Sequence, residues 1–153
     1  VGSVRCGEEP DPAHQARRHR DSTIEMIEAS REHGGGWKDL EGTDEKDLIK
    51  ECHQKIDSGA SSAYGIMEWD EPAPTMTTRC TNISSGRFTH PSESRAITFS
   101  EAALLMGFPR WFKLPNTNQD AERVVGNAVP PQLVRKVAEC PDVRPGPIES
   151  SAV

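Results

Sequence analysis

Apolar positions along the chain recur mostly three and four apart, and one stretch runs on in the manner of a strand. Ile24 and Ile27 share a face, with Glu25, Glu28, Arg31 and Glu32 on the solvated side. Ser22-Thr23-Ile24-Glu25 has the form of a capping box, Ser22 accepting from first-turn amides and Glu25 reaching back. Gly34-Gly35-Gly36 stops this helix, and Trp37 beside it reads as a packing anchor. Thr43-Asp44-Glu45 opens a second helix, acidic in its first turn as the helix dipole favours. Leu48, Ile49, Cys52 and Ile56 mark its buried face. Ala63 to Trp69 then reads as extended, Asp70-Glu71-Pro72-Ala73-Pro74 as a turn, and Thr75 to Cys80 as a second extended run. The two runs are expected to pair.

The C-terminal part is punctuated more sharply. Thr98 and Glu101 form another capping box, ahead of the short apolar helix Ala102 to Met106. Gly107 ends that helix and Pro109 bars its continuation. Trp111-Phe112 follows and is expected to be buried. Asn118 opens a polar helix that runs through Val124-Val125 into Gly126-Asn127, the residue types most tolerant of positive φ. Pro130-Pro131 then opens the last helix, since proline suits a first turn. Leu133, Val134 and Val137 lie on one of its faces and Arg135 and Lys136 on the other. On local chemistry alone this is an ordinary helix–helix connection.

These elements add up to an α+β fold of short strands and helices. Hydrophobic residues make up only 34%, and adding the 12 glycines leaves the apolar share below the ~45–50% usual for globular domains. The core is therefore thin: either the ends are disordered, or the fold is completed by something outside the chain. Residues 1–20 read as a polar tail or loop, and residues 141–153, rich in proline and small polar residues, as a disordered tail. A net charge of -6 excludes a global attraction to polyanions, so any nucleic-acid role rests on local basic patches. Arg17-Arg18-His19-Arg20 is one such run, although a solvated charge cluster is its commoner role.

Candidate metal and nucleophile sites are weak. Cys6, Cys52, Cys80 and Cys140 are scattered, with no C-x-x-C pair and no signal peptide ahead of them, as reduced thiols of a cytoplasmic protein would be. Cys52-His53, taken with Cys80 and His90, matches no standard zinc spacing, and no metal is expected. The triple glycine lacks the preceding strand and following Lys-Ser/Thr of a phosphate loop. No apolar run approaches the ~18–20 residues of a membrane span. The start at Val1, without an initiator Met, suits a fragment or a processed end.

RAITFSEAALLMGFP at residues 95–109, followed by RVVGNAVPPQLV at residues 123–134, resembles the last two motifs of the DNA (cytosine-5) methyltransferases. WDEPAPTMTTRCTNISSGRFTHP at residues 69–91 is similar to the end of that family's target-recognition region, and GGGWKDL and YGIMEWD also fit it. The likeness spans about residues 21–139. It divides the chain into a recognition-like region at 21–98 and C-terminal helices at 99–140 that pack, in the family, on an α/β catalytic lobe. It implies a transferase of the restriction-modification kind acting on double-stranded DNA, with S-adenosylmethionine as methyl donor. Asn127 and Val129 would edge the cofactor pocket. Arg95 and Glu101 would organise the recognition domain, with Arg95 and Thr98 near the DNA. Gly107, Pro109, Gly126, Pro130 and Pro131 would be structural motif positions. Arg79 and Arg87 are candidate DNA contacts, because arginine reads guanine bidentately and binds phosphate, and equally plain surface charges.

Ser100 and Met106 depart from the family pattern, which usually has Arg and Gln there, so anchoring at both places is expected to weaken. A larger departure concerns the chemistry. The family adds a thiolate that follows a proline to a cytosine flipped out of the stack, and none of the four cysteines here follows a proline. Cys80, beside Arg79, has the most activating neighbour but is not assigned as a nucleophile. No catalytic residue is assigned, and the catalytic lobe is expected outside this stretch, as the rest of the same enzyme if this is a fragment or as the other subunit if the enzyme is split. The chain then reads as the recognition half of a methyltransferase. The alternatives are a degenerate relative that binds DNA or a partner protein, or an unrelated interaction domain. A cytoplasmic, nucleoid or nuclear location follows from the same resemblance. The sharpest expectation is that Leu133, Val134 and Val137 stand uncovered.

Overall fold

The structure, a computed structural model, describes residues 12–49 and 62–140. Four α-helices run through these residues: α1 at Asp21–His33, α2 at Phe99–Leu105, α3 at Asn118–Gly126 and α4 at Pro131–Glu139. Short 3-10 turns at Pro12–His14, Trp37–Leu40, Lys46–Leu48 and Ile83–Ser85 fill the connections. Among the described residues the molecule is mostly helical, and extended pairing is reduced to two isolated bridges, Ile66 with Thr89 and Thr89 with Ala96. The α+β expectation holds only in that reduced form. None of the helices among the described residues is long and apolar enough to cross a membrane.

Helix α1 begins one residue before the expected cap. Thr23 and Ile24 both donate to the Arg20 carbonyl, at 2.9 and 3.1 Å, and Arg20 offers no side-chain cap. The Ser22 capping box is therefore not made; Asp21, inside the first turn, supplies the favourable charge instead. Its buried face is Thr23, Met26, Ile27, Ala29 and Ser30, with Ile24 only half-buried. Gly34 and Gly35, both at positive φ, end the helix as expected, and their amides return to the Ser30 carbonyl. Trp37 is fully buried behind them. Of the second expected helix, Lys46–Leu48 forms a 3-10 turn and Ile49 is buried, whereas Cys52, His53 and Ile56 lie outside the described residues.

The expected pairing of 63–69 with 75–80 does not form. The amides of Tyr64, Ile66 and Met67 are taken by the carbonyls of Ile83, Gly35 and Thr89, at 2.6, 2.7 and 3.0 Å. Pro72 and Pro74 offer no amide to a ladder. The pairing that does occur separates two apolar clusters. Ile66 and Ala96 face one, built from α1, Trp37, Leu40, Ile49, Tyr64 and Ile83. Their neighbours Met67 and Ile97 face the other, with Met76, Cys80, Phe88, Ala102, Ala103, Met106 and Val125. Alternation along an extended backbone thus lets single residue steps serve two cores.

Trp111-Phe112 corrects another expectation. Phe112 donates its amide to the Pro109 carbonyl at 2.9 Å and lays its ring on Phe108, with centroids 4.8 Å apart. That turn sends Trp111 outward, 79% exposed, while the half-buried Phe108 and Leu114 pack on the second cluster.

Candidate functional site

Helix α2 is built around the capping box read from the sequence. The Thr98 hydroxyl accepts from the Glu101 amide at 3.2 Å, and Glu101 Oε2 accepts from the Thr98 amide at 2.8 Å. Gly107 follows the helix at φ +82°, a conformation open to glycine and strained for other residues. Arg95, just ahead of the box, closes a fork on Glu101: Nη1 to Oε2 at 2.8 Å and Nη2 to Oε1 at 2.9 Å. It also donates to Glu93 Oε2 through Nε at 2.8 Å and to the Ala96 carbonyl at 3.0 Å. Its planar guanidinium suits this bidentate arrangement. These bonds hold the Arg95 pKa well above its ordinary value, the Glu101 hydrogen bond contributing most against burial.

The segment between His90 and Arg95 is tied on every side. His90 is buried, and its Nδ1 accepts from the amides of Ser92 and Glu93 at 3.2 and 3.1 Å. Those two donors leave the ring proton on Nε2, which sits 3.9 Å from Glu101 Oε1. Burial, and then the nearby Arg95 charge, push His90 below its usual pKa, against the pull of Glu101 and Glu93. From α1, Arg31 donates to the carbonyls of Ser92 and Glu93 at 2.9 and 3.1 Å, and Glu28 accepts from the Ser94 hydroxyl at 3.1 Å. Trp69 lies edge-on to His90 and donates to the Ser92 hydroxyl. Within the stretch expected to be tail, His14 Nδ1 comes within 3.1 Å of the Thr98 hydroxyl.

The candidate DNA residues lie in two settings. Arg79 is exposed on a turn; Arg87 is half-buried and donates to the Pro72 carbonyl at 3.0 Å. Arg95 and Thr98 belong to the carboxylate network and the cap just described. Cys80, next to Arg79, is fully buried beneath its turn, and burial raises its thiol to about 11, far from the thiolate a nucleophile needs. Alkylation of the native chain at neutral pH should therefore spare Cys80 and modify the exposed Cys140, as peptide mass mapping would read; rapid labelling of Cys80 in the folded chain would contradict this. No group of three or more His, Cys, Asp or Glu among the described residues has a metal-holding arrangement.

Gly126 sits in the last turn of α3 at a negative φ, so positive φ is not why glycine stands there. The reason is contact. A Cβ at Gly126 would overlap the Thr78 amide nitrogen and lie 2.5 Å from the Thr77 carbonyl carbon and the Thr78 Cα. Asn127, at φ -99°, caps α3 with its amide on the Arg123 carbonyl at 3.1 Å. Its side chain and that of Val129 face outward. Pro130 and Pro131 open α4 as the sequence predicts, and no residue of α4 is buried. Leu133, Val134 and Val137 are 54%, 53% and 48% exposed. Gln132 reaches the end of α2, where a Cβ on Gly107 would meet its Oε1 at 2.8 Å. Leu104 and Leu105, three and two residues ahead of Gly107, are also exposed.

Sequence reasoning missed three participants. Arg31 reaches this segment from a distant stretch of chain, whereas His90 and Glu93 make their side-chain hydrogen bonds within three residues, and no standard motif marks them. The HisPro pair and the arginine five residues after His90 are the only trace of their network in the sequence.

Comparison with known proteins adds the last element. A family profile described as C-5 cytosine-specific DNA methylase matches residues 4–140. The chain is 44% identical over 137 residues to the type II methylase M.HgiDII of Herpetosiphon aurantiacus, covering 86% of this chain and 37% of that protein. It is 39% identical over 84 residues to the type II methyltransferase M1.BsuMI of Bacillus subtilis, covering 54% and 20%. It is 37% identical over 75 residues to DNA (cytosine-5)-methyltransferase 1 of Gallus gallus, covering 48% and 5%. The chain thus spans little more than a third of the length of M.HgiDII and less of the other two.

Proposed function

The chain belongs to the C-5 cytosine-specific DNA methylase family, and from that premise we propose that it is the DNA-recognising, cofactor-pocket-completing portion of a DNA (cytosine-5) methyltransferase. The observation that carries this reading is the bare apolar face of α4. Three large aliphatic side chains half-exposed on one short helix, none of whose residues is buried, suit a surface that another body covers. We take that body to be the catalytic lobe, which brings the proline-preceded cysteine that this sequence lacks. S-adenosylmethionine supplies the methyl group when bound. An outward-facing Asn127 amide next to an outward-facing apolar Val129 fits the rim of a pocket closed from the other side.

In this reading Arg79 and Arg87 are the direct DNA contacts. Arg95, whose donors are engaged by Glu93 and Glu101, acts on DNA by fixing the frame, and Thr98 lies near the bound strand. Clusters of this kind supply affinity in a chain of net charge -6 only where the arginines stand clear of carboxylates, which favours Arg79.

The test is reconstitution. The portion of M.HgiDII that this chain does not match provides a lobe, and transfer of labelled methyl groups to duplex DNA is the readout. We expect none from the chain alone and transfer from the mixture. Methyl transfer by the chain alone, or a silent mixture of folded and associated parts, would overturn the proposal. Failure of the chain to bind DNA at low salt would remove its recognition half.

A further inference from the structure

The family's closing motif and the turn that carries Arg79 touch backbone to backbone, and we propose that Gly126 is a positioning residue that sets the Arg79 turn against the Asn127 turn. The inference rests on the reading of Arg79 as a DNA contact. It deepens that reading by naming a determinant of DNA binding that meets neither DNA nor cofactor.

The geometry is specific. The atoms that a Gly126 side chain would strike are the Thr77 carbonyl carbon and the Thr78 nitrogen and Cα, all main chain, which cannot rotate aside as a side-chain tip can. The Arg79 turn hangs from the same place. Thr77 accepts from the Arg79 amide through its hydroxyl at 3.3 Å and from the Cys80 amide through its carbonyl at 3.1 Å. Cys80 is in turn buried in the cluster that holds Val125, the neighbour of Gly126. The turn is therefore fixed at two points, the Gly126 contact and the Cys80 anchor, while Arg79 itself stays exposed. Immediately after Gly126 comes Asn127, so a shift in either turn is passed to the other across a single contact.

Helix propensity works in the opposite direction and makes the test clean. At a helical, negative-φ position alanine is favoured over glycine by up to about 1 kcal/mol, a gain of about fivefold in the local helix equilibrium. Any harm from Gly126→Ala must then come from displacing Thr77 and Thr78.

The experiment is a double-mutant cycle on the full chain, with affinity for duplex DNA at fixed salt as the readout. Arg79→Gln is expected to weaken binding about 5–20-fold, and Gly126→Ala by a similar factor. The double variant is expected to be no weaker than Arg79→Gln alone, because the same contact has already been lost. A merely structural role would give additive losses, and additivity or an unchanged Gly126→Ala affinity overturns the proposal. Should Gly126→Ala fail to fold, Cys80→Ala takes its place in the cycle: it loosens the turn from its other anchor, and the same non-additivity is expected. Absence of DNA binding by the unaltered chain counts against the proposed function, and hydrogen exchange then decides the inference. Gly126→Ala should speed exchange at the Arg79 and Cys80 amides while leaving Ala102 and Met106 in their α2 bonds. Unchanged exchange at Arg79 and Cys80 overturns it.

Discussion

Truncation of Glu101 to Ala is expected to lower the stability of the chain by about 3 kcal/mol and its thermal midpoint by roughly 10–20 °C. Its carboxylate accepts from the Thr98 amide and from both Arg95 Nη atoms at 2.8 to 2.9 Å. Loss of the cap costs about 1 kcal/mol, and loss of charge-assisted bonds about 1.5–3 kcal/mol more. Arg95 would be left with Glu93, which stands half in solvent. Glu101→Gln keeps an acceptor for the cap but removes the charge, so an intermediate loss is expected. Thermal unfolding followed by circular dichroism measures both; a Glu101→Ala midpoint within 2–3 °C of the parent would contradict the central place given to this network.

The same carboxylate contributes to the acid sensitivity of the fold. Burial alone would raise its pKa, but the Arg95 hydrogen bonds, the Thr98 amide and the Arg95 and His90 charges outweigh burial and take it down to about 2. A folded-state pKa below the ordinary 4.5 means that the unfolded chain takes up the proton first as pH falls. The stabilisation is then complete above pH 4.5 and lost between there and pH 2, up to about 3 kcal/mol. His90 works in the same sense at higher pH: its lowered pKa makes the folded state lose ground as pH drops below the ordinary histidine range. In Glu101→Gln the lower limb of the stability profile should flatten while the His90 limb remains.

What could be read in advance was the chemistry that acts within one turn of chain. The Thr98–Glu101 box, the Asn118 start of α3 and the Pro131 start of α4 each depend on residues at most three apart, and each formed; the Thr117 side chain that caps α3 was not foreseen. Ser22 shows the limit of such reading, because the Arg20 carbonyl caps α1 two residues ahead of it and leaves the box with no helix end to cap. The strand pairing failed for a longer-range reason: carbonyls of Ile83, Gly35 and Thr89 occupy the amides of Tyr64, Ile66 and Met67 that the Pro-containing stretch was expected to pair with. The positive-φ explanation for Gly126 was wrong, since nothing in GNAVPP discloses that Thr77 and Thr78 press on it. The approach of Arg31 to the Ser92 and Glu93 carbonyls is the same kind of distant meeting.

The apolar face of α4 yields the second large effect. The paired change Val134→Glu and Val137→Lys is expected to leave the stability of the chain within about 0.5 kcal/mol of the parent, because no residue of α4 is buried in it. Both substitutes are better helix formers than valine, and an acidic residue three positions ahead of a basic one supports the helix. Association with a catalytic lobe should fall by at least about 100-fold, near 2.7 kcal/mol, since two aliphatic contacts are lost and two charges must be desolvated. Methyl transfer by the mixture should fall in step at limiting lobe. Titration of one part into the other by calorimetry, beside a thermal melt of the chain alone, separates the possibilities. A destabilised chain would mean that α4 packs on its own domain after all. An unweakened association would place the lobe on some other surface, and Leu104 and Leu105, exposed just ahead of Gly107, are where that surface should be sought.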